Sequence, residues 1–307
     1  MATTHAPGRA SARRRSSPMA RRQARAAWLL ALPFVALFLL FTAWPVISSL
    51  LMSFTDIRST DVQTPFAVEF TGLDNYTRLL SDPLFHKVAL NTAFYVIGGV
   101  PLTMALALAA AVGLNGIRRL RGFLRAGYYA PVVTSIVAVA VVWRFLLQDS
   151  GLVNWALDQV GIGAVDWLNS TTWALPALVV MASWRNLGFL MVIFLAGLQT
   201  VPEELLEAAE VDGAGRWARF RYVTLPLLRP TLLFGAVITG IGYLQFFEEA
   251  FVMTQGGPLD ATRSVAYYTY DQFGFGNYGY ASSASYVLFV AIVVLSIVQF
   301  RILRPKD

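Results

Sequence analysis

The chain has 307 residues, of which 56% are hydrophobic and 14% are charged, and its formal net charge is +6. Because soluble globular proteins carry about 25% charged residues, this composition excludes an ordinary water-soluble domain and favours a protein that lies in lipid. The absence of cysteine excludes disulfides and thiolate metal sites, and both histidines, His5 and His86, lie outside the apolar runs, which argues against a histidine metal centre.

The first 27 residues are rich in Arg, Ser, Ala and Pro and contain no acidic residue. This composition predicts a disordered cytoplasmic segment on the anionic inner leaflet of a membrane. A cleaved signal peptide is the alternative. The apolar run that follows is too long for one, however, and Trp44, Pro45 and Val46 provide no small-residue cleavage site. We therefore expect the first apolar run to be retained.

Six apolar runs are long enough to cross a hydrocarbon core of about 30 Å, which takes about 20 residues of helix. They cover residues 28–52, 88–113, 126–147, 173–198, 231–253 and 282–303. The sequence therefore predicts an all-α integral membrane protein with six transmembrane helices. Residues 28–303 would form the transmembrane domain and residues 304–307 a cytoplasmic tail.

The basic residues are concentrated in alternate connections between these runs. Arginines precede the first run, lie between the second and third and between the fourth and fifth, and follow the sixth. The opposite side carries only Arg58, Arg78, Lys87 and Arg263. By the positive-inside rule, this predicts a multi-pass protein of the bacterial plasma membrane with both termini in the cytoplasm. The net positive charge is thus explained by the arginines of the cytoplasmic connections, and nucleic acid is not expected as a partner.

The cytoplasmic connection of residues 200–230 contains a short predicted helix. Thr200 and Glu203 have the spacing of a capping box, Pro202 fits a first helical turn, and Gly213 can end the helix in a left-handed conformation. The helix is acidic throughout, with Glu203, Glu204, Glu207, Glu210 and Asp212. An amphipathic helix on the inner leaflet is the alternative, but such helices are usually rich in Lys and Arg.

The pattern within this connection resembles the EAA motif of binding-protein-dependent ABC importer permeases, with Val223 at a position that usually holds Ile. The resemblance implies a coupling helix that docks on an ATPase subunit, with the contact residues Glu207, Ala208, Ala209, Gly213, Leu225 and Pro226. Residues 70–76, 184–188 and 245–258 also resemble the carbohydrate branch of that family, the maltose- and glycerol-3-phosphate-type permeases. This likeness extends from about residue 28 to the end of the chain.

The resemblance also implies the partners of the chain. They are a second homologous permease subunit, two ATPase subunits or domains, an extracytoplasmic solute-binding lipoprotein and a sugar substrate. ATP and Mg²⁺ would be bound by the ATPase partner, and this chain would hold no cofactor and no metal. The residues agree, because Lys87 and Lys306 are the only lysines and neither lies in a Gly-Lys-Ser/Thr phosphate loop. The chain also lacks HExxH and GxSxG motifs, so we expect no catalytic residues and no enzymatic activity.

Polar residues inside the predicted spans are candidates for substrate contacts, since charges in a membrane are costly. Amide, carboxylate and aromatic side chains suit a sugar, and the predicted site consists of Trp184, Asn186, Gln245, Phe247 and Glu248. Gln245 is expected to share a helix face with Glu248 and Glu249. The alternative for the charged residues is a structural ion pair between Arg185 and Glu248.

A stand-alone secondary transporter or channel for a small polar solute is the alternative function. Such a protein would not need an acidic docking helix. Ion-driven carriers often contain paired repeats and discontinuous helices, and the sequence shows no evidence of either.

Overall fold

The computed structural model describes residues 18–63, 68–117 and 119–303, and within these residues the regular secondary structure is entirely helical. The described residues also contain an isolated antiparallel β-bridge between Thr55 and Phe70. The predicted all-α class is therefore confirmed. The chain divides between Leu51 and Met52 into two units.

The first unit consists of α1 (Pro18–Phe38) and most of α2 (Trp44–Met52), which are joined by a π-helical turn, Leu39–Ala43. Pro45 has no N–H to donate, and at this point the Trp44 N–H bonds the Leu39 carbonyl, five residues earlier.

The predicted disordered segment of residues 1–27 is helical from Pro18 onward. Ala, Arg, Gln and Met dominate this stretch, and all four are strong helix formers. Residues 1–17 of that predicted segment, and the predicted tail of residues 304–307, lie outside the described residues.

The second unit contains thirteen helices within the described residues. In chain order they are α3 (Asp74–Ser81), α4 (Pro83–Asn115), α5 (Arg121–Val133), α6 (Ile136–Leu146), α7 (Leu152–Gln159), α8 (Ala174–Leu198), α9 (Glu203–Val211), α10 (Arg216–Arg219), α11 (Leu225–Leu227), α12 (Arg229–Leu244), α13 (Glu248–Met253), α14 (Val265–Gly274) and α15 (Tyr278–Leu303). A 3₁₀ turn covers Ser59–Gln63, and a second π-helical turn, Phe220–Thr224, joins α10 to α11.

Four helical stretches are long and apolar enough to cross a membrane: Ala26–Met52, Pro83–Asn115, Ala174–Leu198 and Tyr278–Leu303. Two bent pairs reach that length only when both members are counted together, α5 with α6 and the segment from α10 to α11 with α12. The described residues therefore contain four to six candidate spans, as expected for a multi-pass membrane protein. The predicted count of six is reached if each of the two bent pairs crosses the membrane once, in addition to the four long helices.

The predicted third span is broken instead of continuous. α5 and α6 meet at an angle of 97°, where Thr134 and Ser135 adopt extended ψ angles. Pro131 removes an N–H donor from the last turn of α5, and the Thr134 hydroxyl bonds the Ala130 carbonyl at 2.8 Å. Both features favour the end of the helix at this point.

The predicted fifth span, residues 231–253, is broken as well. α12 ends at Leu244, and α13 begins at Glu248 after an irregular turn in which Phe247 has φ −145° and ψ −55°. The expectation of continuous helices was therefore wrong. Helix continuity consequently provides no argument against a carrier.

The core of the second unit forms where α4 packs along α8, where α12 contacts both of these helices, and where α13 contacts α8 and α6. Glycine permits the closest approaches. A Cβ atom at Gly188 of α8 would lie 1.9 Å from the Tyr128 carbonyl oxygen of α5, and one at Gly99 of α4 would lie 2.1 Å from the Tyr243 ring of α12. Small residues of this kind allow the backbone of one membrane helix to approach the neighbouring helix closely.

Candidate functional site

Helix α9 begins where the sequence predicts a helix, but not by the predicted mechanism. Its N-cap is Pro202, in an extended conformation, and no side chain caps the helix. The Thr200 hydroxyl donates instead to the Gly197 carbonyl at 2.8 Å, at the end of α8. The predicted capping box of Thr200 and Glu203 was therefore wrong, because Thr200 closes the preceding helix.

The end of α9 is formed by Gly213, as predicted. Gly213 has φ +82°, the Ala214 N–H bonds the Ala209 carbonyl at 2.9 Å, and the Gly213 N–H bonds the Glu210 carbonyl at 3.0 Å. These bonds satisfy carbonyls that would otherwise be free at the helix end, and they require a left-handed residue at position 213.

The surface of α9 is open along nearly its whole length. Glu207 and Ala208 are exposed, Ala209 is half-buried, and the side chain of Val211 is 88% exposed. Trp217, in the next helix α10, is 73% exposed. Apolar side chains set among exposed carboxylates are typical of a surface that another protein covers.

The segment after α9 connects this surface to α12. Arg219 forms an ion pair with Glu210 of α9. Leu225 and Pro226 are half-buried at the start of α11, and the Leu225 N–H bonds the Phe220 carbonyl because Pro226 has no donor for a regular ladder. The chain then passes through Leu228, which is buried in the core, into α12. Consecutive contacting elements thus join α9 to α12.

A cavity of about 370 Å³ lies between α4, α8, α12 and α13. Its polar lining comes from four different helices or their ends, and consists of Tyr95, Arg185, Asn186, Thr239, Tyr243, Gln245, Glu248 and Glu249. The irregular turn between α12 and α13 places Gln245 and the two carboxylates along the same wall. The prediction that they share the face of one helix was wrong, since the helix is broken, yet the three residues line one cavity.

Three of the five predicted substrate residues, Asn186, Gln245 and Glu248, line this cavity, and the other two do not. Trp184 lies two positions from Asn186 on α8, a rotation of about 200°, so it faces the opposite side. There its ring packs against Trp143 with centroids 5.6 Å apart.

The ring of Phe247 packs against Phe251, Tyr267 and Tyr270, outside the cavity. The neighbouring Phe246 takes the inward position instead. Its ring stacks on Tyr95 with centroids 3.8 Å apart.

The alternative of an Arg185–Glu248 ion pair is not observed among the described residues. Arg185 Nη1 donates to Asn186 Oδ1 at 3.4 Å, and the salt bridges that the described residues form lie elsewhere. Tyr95 was missed by sequence reasoning, because a single tyrosine in an apolar run is not distinguishable from a packing residue. Only its contact with α12 and α13 places it at the cavity.

A second cavity, of about 480 Å³, lies beyond the opposite end of α13. Its walls include Arg144, Gln148, Asp149, Asn169 and Gln255. The short helix α13 therefore stands between two polar cavities, with Glu248 and Glu249 at one and Met253 at the other.

Comparison with solved structures shows the same fold. A crystal structure of a bacterial alginate ABC transporter, in complex with a periplasmic protein bound to an alginate pentasaccharide, contains a chain that superimposes with a TM-score of 0.79 at 24% identity, over 92% of this chain and 95% of that one. A second structure of a bacterial ABC transporter, involved in the import of alginate, gives a TM-score of 0.76 at 26% identity, over 92% and 96% of the two chains.

Comparison with known sequences leads to a family. The lactose transport system permease protein LacF of Rhizobium radiobacter is 33% identical over 91% of this chain and 94% of its own length. The trehalose/maltose transport system permease protein MalF of Thermococcus litoralis is 33% identical over 94% of this chain and 97% of its own length. The family model for the binding-protein-dependent transport system inner membrane component matches residues 99–306. This chain therefore belongs to the family of inner membrane components of binding-protein-dependent transport systems.

Proposed function

We propose that this chain is a membrane-spanning permease subunit of an ATP-driven sugar importer, and that it couples its translocation pathway to a separate ATPase. The observation that carries the proposal is the exposed α9 surface, in a membrane chain whose relatives are sugar permeases. A carrier that works alone has no use for an uncovered acidic helix joined to a span by packed elements. The chain itself is a transport subunit and not an enzyme.

We propose a topology of six spans, with each bent pair crossing the membrane once and with both termini in the cytoplasm. The arginine-rich connections, among them the one that holds α9, would then lie inside the cell. This orientation places α9 on the side where ATP is available. The second cavity, beyond α13, would open outward.

Glu207, Ala208 and Ala209 would form the docking face for the ATPase. Small alanine side chains permit close approach, and Glu207 offers a carboxylate to a basic residue of the partner. Gly213 ends the docking helix, and Leu225 and Pro226 anchor the following segment at α12. Closure of two ATPase subunits around ATP and Mg²⁺ would move α9, and the rigid connection to α12 would carry this movement into the bundle.

The cavity between α4, α8, α12 and α13 would hold the sugar during transport. Asn186, Gln245 and Glu248 offer the amide and carboxylate groups that hydrogen-bond hydroxyls, and Phe246 offers an apolar wall. Its volume of about 370 Å³ lies within the usual range for small-ligand sites, roughly 300–1,000 Å³. Trp184 and Phe247, which lie outside it, would act by supporting α8 and α13 and not by contact with the substrate.

The remaining partners follow from the family. We expect a second homologous permease subunit and an extracytoplasmic solute-binding lipoprotein that delivers the sugar. The alginate transporter with the same fold is bound to a periplasmic protein in its crystal structure, which supports this expectation.

Affinity purification of the tagged chain from native membranes in mild detergent tests the proposal. We expect to recover a P-loop ATPase, a second permease and a binding lipoprotein. Glu207→Ala should reduce ATPase recovery, whereas Glu203→Ala, a change in the first turn of the same helix, should affect it less. Recovery of the chain alone, with ion-gradient-driven uptake that is independent of ATP, would contradict the proposal and favour a stand-alone carrier.

A further inference from the structure

A cluster of arginine and aromatic side chains follows α9, at residues 216–222, and is called here the basic aromatic segment. It reads Arg-Trp-Ala-Arg-Phe-Arg-Tyr, so three of its seven residues are arginine and three are aromatic. Trp217 is 73% exposed and Tyr222 is 75% exposed, and Arg216 and Arg221 are exposed beside them. Exposed aromatic side chains that cluster in this way mark a surface that something else covers.

The basic aromatic segment is tied to the protein by one side only. Arg219 is partly buried and forms the ion pair with Glu210 of α9. Arg216 and Arg221 form no ion pair in the part of the chain that the structure describes, and the Arg221 guanidinium lies 5.8 Å from the centroid of the Tyr222 ring. The outward side therefore carries two positive charges that no carboxylate neutralises.

The charge of the connection between α8 and α12 changes sign at Gly213. Residues 203–212 contain five carboxylates and no basic residue, whereas residues 214–230 contain four arginines and no acidic residue. A basic recess that accepts the carboxylates of α9 would repel the arginines that follow. One partner surface is therefore not complementary to both halves, and the arginine half requires an anionic surface of its own.

The backbone geometry places the basic aromatic segment along a membrane boundary. The helical stretch Arg216–Leu227, which begins with this segment, meets α12 at 68°. Membrane helices tilt by about 20° from the bilayer normal on average. When α12 crosses at such a tilt, the stretch lies closer to the membrane plane than to its normal. Three arginines in seven residues keep the segment out of the hydrocarbon, because charges there are costly.

The side chains of the segment match the chemistry of the lipid headgroup region. Trp and Tyr are enriched at membrane–water interfaces, where their amphipathic rings lie at the level of the headgroups. Each Lys or Arg near an anionic leaflet strengthens binding about fivefold. An arginine can also bond a lipid phosphate through two parallel N–H groups. The acidic helix α9 has none of these properties, which separates its partner from that of the basic aromatic segment.

We propose that the outward side of the basic aromatic segment binds the anionic lipid headgroups of the inner leaflet through four side chains, Arg216, Trp217, Arg221 and Tyr222. The segment is thereby held at the membrane surface and leaves α9 free for the ATPase. This inference rests on the proposed orientation and import function, and it adds a lipid partner to the protein partners.

A spin label at position 217 tests the contact with lipid. Because the chain contains no cysteine, Trp217→Cys places the label at a single position. The complete importer is assembled with partner chains freed of reactive cysteines and reconstituted in vesicles of equal parts phosphatidylcholine and phosphatidylglycerol. We expect the label to collide with oxygen, which dissolves in lipid, and to be shielded from a water-soluble nickel complex.

The other two accessibility patterns would each contradict the proposal. A label at position 217 that is open to the nickel complex would overturn the lipid surface. A label shielded from both probes would overturn it in favour of a protein partner, such as the ATPase. Val211→Cys on α9 is the reference, and its label should be shielded from both probes because the ATPase covers it. A nickel-accessible label at position 211 would count against ATPase docking and not against the lipid surface.

The preference for anionic lipid tests the charges directly. Trace spin-labelled phosphatidylglycerol and phosphatidylcholine are compared for their immobilisation by the importer in the same vesicles. We expect Arg216→Gln combined with Arg221→Gln to lower the preference for phosphatidylglycerol about threefold, and Lys at both positions to retain it. Arg58→Gln is the control, since it removes an exposed charge from the opposite side of the proposed topology.

An unchanged lipid preference in the double Gln variant would overturn the headgroup contact of the two arginines. Uptake of labelled lactose, maltose and trehalose into these vesicles tests the import function separately. Normal sugar uptake without any preference for phosphatidylglycerol would leave import standing and refute the lipid surface. The expected lipid preference in an importer that transports no sugar would support the lipid surface and count against the import function alone.

Discussion

The Tyr268 hydroxyl donates a hydrogen bond of 2.5 Å to Oδ2 of Asp82, although the two residues are 186 positions apart in the sequence. Asp82 also caps α4, since its Oδ1 accepts the Leu84 N–H at 2.8 Å. Tyr268 lies on α14, and its hydroxyl oxygen lies 3.0 Å from that of Tyr280 on α15, which itself donates to Oδ2 of Asp82 at 3.4 Å. One carboxylate therefore joins the start of α4 to two helices near the end of the chain.

We expect Tyr268→Phe to destabilise the protein by about 1–2 kcal/mol, because it removes a hydrogen bond to a charged, partly buried acceptor. Tyr270→Phe, two positions along the same helix, serves as the control and should have a smaller effect. Thermal unfolding in detergent, followed by tryptophan fluorescence, measures the difference. Equal unfolding temperatures for the two variants would contradict a stabilising role for the Asp82–Tyr268 bond.

The same bond predicts a dependence of stability on pH. Burial by itself would raise the pKa of Asp82, but the hydrogen bonds from Tyr268, from the Leu84 and Phe85 N–H groups and from Tyr280 outweigh it, and the pKa lies below its ordinary value of 3.8. A lowered native pKa means that the contribution of Asp82 to stability is complete above pH 3.8. It is lost as the pH falls from that value through the native pKa.

We therefore expect the stability difference between the wild type and Tyr268→Phe to be constant from neutral pH down to 3.8 and to shrink below it. Unfolding curves of both proteins across an acid pH series provide the measurement. A difference that stays constant under acid would show that the ionised form of Asp82 is not responsible.

The contact of Gly188 with α5 predicts strong intolerance of any side chain. Gly188→Ala would place a carbon 1.9 Å from the Tyr128 carbonyl, and backbone must shift to relieve it. We expect a loss of about 1–3 kcal/mol or failure to accumulate in the membrane. Gly113→Ala is the control, since its Cβ would meet nothing within 4 Å. Similar membrane levels and unfolding temperatures for both variants would show that α5 and α8 are not packed this closely.

The left-handed conformation of Gly213 predicts a specific effect on coupling. Gly213→Ala strains the end of α9 by about 1 kcal/mol, because φ +82° is unfavourable for alanine. Gly215→Ala is the matched control, since Gly215 has φ −65° and open space around its Cβ.

We expect Gly213→Ala to lower the amount of sugar imported per ATP hydrolysed by the assembled importer, while Gly215→Ala leaves this ratio near the wild-type value. Gly213→Asn should be milder than the alanine change, since asparagine tolerates the left-handed region better. A ratio unaffected by Gly213→Ala would mean that the shape of the end of α9 does not matter for coupling.

Several features could be predicted from particular residues. Apolar runs of about 20 residues predict candidate membrane helices, because in lipid the backbone N–H and C=O groups can form hydrogen bonds only within the protein. The position of α9 follows from Pro202 and its end from Gly213, since both residues act through their own backbone geometry. The prediction failed where the outcome depended on a neighbour in space. Thr200 could have capped α9, but its hydroxyl donates to the Gly197 carbonyl at the end of α8 and no side chain caps α9.

The sequence by itself thus determined the membrane class, the family resemblance, and the location of the acidic helix, because periodicity, charge and local backbone preferences are all encoded over short stretches. Only the tertiary structure decided that the predicted fifth span is broken, that Trp184 and Phe247 lie outside the cavity between α4, α8, α12 and α13, and that Tyr95 of α4 and Glu249 of α13 meet there. These outcomes depend on which helices pack together, and contacts between residues more than a hundred positions apart leave no pattern in a single sequence.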